Sequence, residues 1–145
     1  MYSRRTILTL LLIEPFVRIN DAFADESAAL DTPEDRMNRR FPQKVRVADL
    51  LGLALLDEDD RTLGHVEEVV RAPSGKVVLV TTYGSWFGLG GRRVGVPLET
   101  VAILGRHIDV LDIARADFST LPIWQCNGAT AIAPEETIRI AIARR

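Results

Sequence analysis

The sequence has little of what catalysis, membrane insertion or nucleic-acid binding would require. Its single cysteine, Cys126, leaves no partner for a disulfide bond within the chain. No apolar run reaches the roughly 18 residues that a membrane-spanning helix needs. The formal net charge of −2 gives no strong attraction to nucleic acid. We therefore expect neither an integral membrane protein nor a nucleic-acid-binding protein.

The N-terminus has the features of an export signal. Arg4 and Arg5 give it a basic start, residues 7–13 are apolar except for Thr9, and Ala22-Phe23-Ala24 provides small residues for signal-peptidase cleavage. We expect residues 1–24 to be a signal peptide that is cleaved near Ala24, which would make the protein periplasmic or otherwise exported.

Two further interpretations of this segment stay open. Residues 3–8 resemble a twin-arginine signal, so export could use either that route or the general secretory route. The charges of Glu14 and Arg18 instead suit an amphipathic N-terminal helix of a cytoplasmic protein. Residues 25–43, which follow, are acidic and polar with few large apolar side chains, and they predict a flexible arm.

Residues 44–124 predict a mainly β domain, a small closed sheet of about six short strands separated by turn residues. The β-branched run Lys76–Tyr83 is the clearest strand. Thr62–Arg71 is predicted as one strand, in which Gly64 marks a bulge or a close packing contact. Arg115–Leu121 predicts one short C-terminal helix. The chain lacks the strand–helix alternation that would support a parallel sheet.

The remaining segment, residues 125–145, is a C-terminal tail with an alternating pattern. From Thr137 to Arg144, isoleucines alternate with arginine and alanine, and this period of two predicts an extra half-buried strand. The competing interpretation is a helix that begins near Pro134.

A glycine-rich loop over Gly84–Gly91 separates two of the predicted strands and contains two aromatic residues. Glycines allow positive φ and close backbone approach. The aromatic side chains suit either anchors for a partner or a plug at the barrel mouth. The arginines that follow suit contact with an acidic partner, or they place charge on an edge strand and so protect it against aggregation. The partner-binding candidates are Trp86, Phe87, Leu89, Arg92 and Arg93.

The sequence predicts no metal site and no cofactor. The turn Asp57–Asp60 lacks the ligand spacing of a calcium loop, and we expect it to be solvated. His65 and His107 have neither a defined spacing nor a cysteine partner, so they are weak candidates for metal ligands.

The sequence also predicts no catalytic residues. Glu67 and Glu68 are adjacent on a predicted strand, so their side chains should point to opposite faces and not converge. Ser85, Ser119 and Cys126 lack the sequence context of an activated nucleophile. Cys126 suits an unpaired thiol or, in an oxidising compartment, an intermolecular disulfide. We expect a protein that is not an enzyme.

With these residues in view, Val45–Trp124 resembles the PRC-barrel family, whose small SH3-like β-barrel is found in the photosynthetic reaction-centre H subunit and in a ribosomal RNA maturation factor. Gly95 stands where that family commonly has a small residue. The resemblance is carried by the order and spacing of Ala48–Asp57, Leu63–Val69, Ser74-Gly75, Phe87–Arg92, Val94–Leu98 and Phe118–Pro122.

The resemblance implies a non-catalytic module that contacts other proteins or itself, for example as a homodimer, here in the bacterial cell envelope. One alternative is a barrel that binds a small molecule or an ion. Another is a cytoplasmic accessory protein for RNA processing or ribosome assembly, which would require an uncleaved N-terminus.

Overall fold

Two β-sheets dominate the computed structural model of the protein, which describes residues 32–85, 87 and 89–143. These residues belong to the unit Thr32–Arg145. The predicted signal peptide, the first part of the predicted arm (25–31), and Trp86 lie outside the described residues.

Short strands and a few short helices follow one another along the described chain. In order they are α1 (Pro33–Arg39), β1 (Gln43–Arg46), α2 (Val47–Leu50), β2 (Ala54–Leu56), β3 (Thr62–His65), β4 (Glu68–Arg71), β5 (Val77–Tyr83), β6 (Arg92–Pro97), a 3₁₀ helix (Leu98–Thr100), β7 (Val101–Leu104), β8 (His107–Val110), α3 (Arg115–Phe118), β9 (Thr130–Ala131) and β10 (Thr137–Ile142). The prediction of a mainly β fold is confirmed.

The larger sheet has the strand order β1-β10-β7-β8-β2-β3, and the smaller sheet has the order β6-β5-β4-β9. The C-terminal strand β10 lies inside the larger sheet, antiparallel to β1 and parallel to β7. Strands β2 and β8 are also parallel. The tail is therefore a strand, and the helix alternative is wrong. These parallel pairs form without strand–helix alternation, because strands far apart in sequence meet without a βαβ unit.

The segment predicted as one strand over Thr62–Arg71 is two strands in different sheets. β3 pairs with β2, whereas β4 pairs with β5. At the break, the Val66 amide donates to the Leu53 carbonyl and the Glu67 amide to the Val80 carbonyl, both at 2.9 Å. The chain passes from one sheet to the other at this point, so the apolar alternation does not continue across it.

Gly64 lies beside this break between β3 and β4, at a point where β3 approaches β5. A Cβ atom at Gly64 would lie 2.3 Å from Thr81 Oγ1 and 2.7 Å from the Thr82 carbonyl oxygen. The predicted close packing contact is therefore present, and it joins the two sheets.

The core between the sheets is aliphatic, with one large aromatic side chain. Phe118 is fully buried, and its ring centroid lies 5.4 Å from that of Tyr83. Burial of these side chains removes apolar surface from water, which is the main force that stabilises a domain of this size. Other fully buried members of the core are Leu50, Leu55, Leu79, Val94, Val96, Ile108 and Ile140.

Helix α1 occupies part of the segment that the sequence predicted to be a flexible arm. Thr32 and Asp35 form a capping box at its start, and Pro33 is the first helical residue, which suits a position whose amide has no helical partner. Asp112 accepts bonds from Arg40 at 2.9 and 3.1 Å. These contacts connect the helix end to the residues after β8, and they were missed because Arg40 and Asp112 are far apart in sequence.

The turn Asp57–Asp60 is only partly solvated, which corrects the expectation for its first residue. The Asp57 side chain is buried, and its carboxylate accepts bonds from the Asp59 and Arg61 amides at 2.9 Å and from Arg115 at 2.7 Å. Burial alone would raise the pKa of Asp57, but these hydrogen bonds, led by that from Arg115, hold the pKa below its ordinary value of 3.8. Asp57 therefore links the β2–β3 turn to α3.

Candidate interaction site at the hairpin tip

The candidate site is the tip of the hairpin formed by β5 and β6. The two strands pair from Val78 with Pro97 to Tyr83 with Arg92, which is their last pair before the loop. Tyr83 also contacts the buried ring of Phe118. The stem is therefore anchored in the core, and the glycine-rich loop begins directly beyond it.

Glycine is required where this loop closes. Gly91 has a φ of +90°, and a Cβ atom there would lie 2.9 Å from both the Ser85 amide nitrogen and the Tyr83 carbonyl oxygen. Backbone atoms cannot move aside as a flexible side chain can. The loop conformation therefore excludes any other residue at this position.

Two large apolar side chains at the tip face water. Phe87 is 89% exposed and Leu89 is 77% exposed, the highest values among the described large apolar residues. Phe87 has a φ of +51°, a left-handed conformation that is costly for a bulky residue. An exposed aromatic side chain on such a backbone adds nothing to the core, which suggests a role outside it.

Arg92 holds the base of the loop against the segment after α3. Its guanidinium donates to the Ser119 carbonyl and, at 2.8 Å, to the Leu121 carbonyl. The sequence suggested an arginine that faces an acidic partner. The structure shows this guanidinium in an intramolecular role, and any contact of Arg92 with a partner stays a prediction.

Arg93 brings together two carboxylates that the sequence analysis placed on opposite faces. Its guanidinium lies 3.4 Å from Glu67 Oε2 and 2.6 Å from Glu68 Oε2. Thr82 Oγ1 also donates to Glu67 Oε1 at 2.7 Å. The expectation that Glu67 and Glu68 cannot converge was wrong, because Glu67 lies in the break between β3 and β4. One guanidinium between two carboxylates gives this cluster a formal charge of −1, and its contacts steady the stem.

The segment after Ser119 borders β6, and sequence analysis gave it no place in the site. Val94 and Ile123 form an isolated antiparallel bridge, and the Trp124 amide donates to the Arg93 carbonyl at 2.7 Å. The Trp124 ring covers Gly95, where a Cβ atom would lie 2.6 Å from it. Ile123 is 60% exposed, so this edge adds apolar surface beside the stem. The only sequence feature that pointed to this packing was the small residue at position 95.

Comparison with protein-family models gives a match to the PRC-barrel domain over residues 42–116. The match covers just over half of the chain. The chain belongs to the PRC-barrel family. A comparison with curated proteins gives no match. The hairpin tip lies within the part of the chain that matches the PRC-barrel domain, whereas β9 and β10 lie beyond it although β10 completes the larger sheet.

The other polar candidates include a half-buried histidine on β8 and a cysteine beyond the residues that match the PRC-barrel domain. His107 Nε2 lies 3.4 Å from Asp109 Oδ1 on β8, and Cys126 is an exposed free thiol. Within the part of the chain that the structure describes, no group of three or more His, Cys, Asp or Glu side chains could hold a metal ion. None of the helices described in residues 32–143 is both long and apolar enough to span a bilayer.

Proposed function

We propose that this PRC-barrel protein is a non-catalytic module that binds a protein partner, or a second copy of itself, through the hairpin tip. The residues that carry the contact are Phe87 and Leu89, together with Trp86, which precedes Phe87 in the sequence. We further propose that the protein works in the bacterial cell envelope after its first 24 residues are removed.

The exposure of Phe87 and Leu89 is the observation that supports this proposal most. Exposed apolar side chains gain free energy when a partner removes them from water, at about 25 cal/mol per Å² of buried apolar surface. Aromatic residues are common among the few side chains that contribute most to an interface. Within the domain itself, Phe87 and Leu89 bury little surface.

A firmly held stem makes the tip a better binding surface. The stem is fixed by the β5–β6 pairing, by the contact between Tyr83 and Phe118, and by the bonds that Arg92 makes. A partner that binds a loop with a fixed base avoids much of the entropy cost of ordering it.

The test is the double variant Phe87→Ser/Leu89→Ser, compared with the wild type by sedimentation velocity and by binding of any partner cross-linked to the wild type. Loss of a buried aromatic anchor costs about 2 kcal/mol or more, so the dissociation constant should rise at least about 30-fold. The melting temperature should stay near that of the wild type, because neither side chain is in the core.

The matched control is Leu111→Ser, which removes another exposed leucine, one that follows β8 at some distance along the chain from the hairpin tip. This variant should associate like the wild type. If the double variant associates as tightly as the wild type, or if Leu111→Ser weakens association equally, the hairpin tip is not the contact surface.

The proposed location is tested separately by intact-mass analysis of the protein from fractionated source cells. A periplasmic species that begins at Asp25 would support export. A full-length cytoplasmic species would contradict it and would favour the alternative of an RNA-linked accessory protein.

A further inference from the structure

A second surface lies away from the hairpin tip, in a half-open groove of about 540 Å³. One wall is helix α1, and the other is the β4–β5 turn. The base is apolar and includes the half-buried Val77 with the buried Leu98 and Ile138. This volume is within the range of known ligand sites, roughly 300–1,000 Å³.

The rim of the groove carries one more positive charge than negative. Arg71, Lys76 and Arg139 line it, together with the carboxylates Glu34 and Glu99. Lys76 Nζ lies 3.6 Å from Glu99 Oε1, so that pair is close to neutral. Positive charge therefore prevails locally, on a chain whose formal net charge is −2.

The arginines of the rim have hydrogen-bonding capacity to spare. Arg71 makes one long bond, 3.4 Å, to the Gly75 carbonyl oxygen. For Arg139, the structure shows no ion pair or side-chain hydrogen bond with any residue in the described ranges. A guanidinium has five N–H donors and binds carboxylates through two of them at once, so these side chains can hold a carboxylate firmly.

The strand pairing beside the groove places two like charges opposite each other. Lys44 on β1 pairs directly with Arg139 on β10, on the exposed face of the sheet. Like charges at such positions destabilise a sheet, and departures of this kind from local rules are expected mainly at functional sites. An anionic ligand would remove the repulsion when it binds.

We propose that this groove binds an acidic, partly apolar peptide segment of a protein partner. Aspartate or glutamate side chains of the segment would pair with Arg139, Arg71 and Lys44, and an aliphatic side chain would lie on Val77, Leu98 and Ile138. The half-open shape suits an extended chain more than an enclosed small molecule. The proposal adds a contact surface that does not depend on Phe87 or Leu89.

The test uses the full-length purified protein and a short fluorescein-labelled peptide of Glu, Asp and Leu, with binding followed by fluorescence anisotropy. We expect saturable binding that weakens as the salt concentration rises, because the charges on the rim are screened. A peptide in which Gln and Asn replace the acidic residues should bind at least about tenfold more weakly.

The decisive variant is Arg139→Glu, which replaces an attraction with a repulsion and should lower affinity for the acidic peptide about tenfold or more. It also places a negative charge opposite Lys44, so the melting temperature should hold or rise. The matched control Arg106→Glu makes the same change of charge in the β7–β8 turn, outside the groove, and should bind like the wild type.

Several results would overturn the proposal. They are no binding of the acidic peptide, equal binding of its neutral counterpart, and equal loss of affinity in both arginine variants. Arg139-dependent binding of phosphatidylglycerol vesicles without peptide binding would identify a lipid site instead. The Phe87→Ser/Leu89→Ser variant should bind the peptide normally, which keeps this test separate from that of the hairpin tip.

Discussion

Replacement of Gly64 by alanine tests the packing of the two sheets most directly. The added Cβ atom would lie 2.3 Å from Thr81 Oγ1 and 2.7 Å from the Thr82 carbonyl oxygen, and real Cβ atoms essentially never come within 3.0 Å of such atoms. The φ of Gly64 is outside the left-handed region, so the effect comes from space alone. Because Thr81 is fully buried and the second contact is backbone, β3 must move away from β5.

The expected change in the free energy of unfolding combines a gain and a loss. Alanine is favoured over glycine in a strand by about 0.5–1 kcal/mol, because glycine loses more conformational entropy on folding. Overpacking of a tight contact costs about 1–3 kcal/mol. We therefore expect the free energy of unfolding of Gly64→Ala to fall by about 1–2 kcal/mol, and its melting temperature to fall by about 4–8 °C.

The assay is urea and thermal unfolding followed by circular dichroism, with Thr62→Ala as a control at an exposed position of the same strand. In a Thr81→Ala background the cost of Gly64→Ala should shrink by about 0.5–1 kcal/mol, because one of the two contacts is gone. The carbonyl of Thr82 should keep the rescue incomplete. A Gly64→Ala variant as stable as the wild type, or a cost that Thr81→Ala does not change, would refute the close approach of the sheets.

Three further predictions concern the core, the loop base and acid stability. Phe118→Ala should lower the free energy of unfolding by about 3–5 kcal/mol in urea, because it empties a fully buried site. Arg92→Gln should cost about 1–2 kcal/mol and speed hydrogen exchange in residues 119–124, because two carbonyls lose a charged donor. Because the pKa of Asp57 is lowered in the folded state, the unfolded state binds its proton more tightly. Its stabilisation is present above about pH 4 and lost as the pH falls further. In Asp57→Asn, the urea concentration at the unfolding midpoint should depend less on pH in that range than it does in the wild type. If both proteins lose stability equally as the pH falls, the buried pair of Asp57 with Arg115 is contradicted.

Sequence reasoning worked best where a strand carries its own local signal. The β-branched run from Lys76 became β5, and the alternating isoleucines of the tail became β10. Both patterns arise from side chains that alternate between the core and the outer face, which is a local property of a strand. The close approach at Gly64 was found for a similar reason, since a glycine in a strand often marks a point where another segment of backbone lies close.

The features that sequence reasoning missed depend on contacts between distant residues. The parallel pairing of β10 with β7 joins Ala141 to Ala102, and no local pattern encodes it. Asp57 was expected in water because its neighbours are charged, but Arg115, far along the chain, allows its burial.

The candidate site was only partly accessible to sequence reasoning. The glycines and apolar residues of the loop left two roles open for its aromatic side chains, anchors for a partner or a plug at the barrel mouth, and in the structure Phe87 and Leu89 are exposed. The bonds of Arg92 to carbonyls after α3 could not be foreseen, because any exposed arginine looks the same in a sequence. The cationic groove was missed as well, since four separate segments build it.

Site-specific photo-cross-linking in source cells is the most direct test of the central claim that the hairpin tip is a contact surface. A benzophenone amino acid would be placed at position 89, and at position 111 as a control, since both native leucines are exposed. We predict one discrete adduct, with a partner or with a second copy, from position 89 and none from position 111. No adduct from position 89, or the same pattern from both positions, would contradict the account.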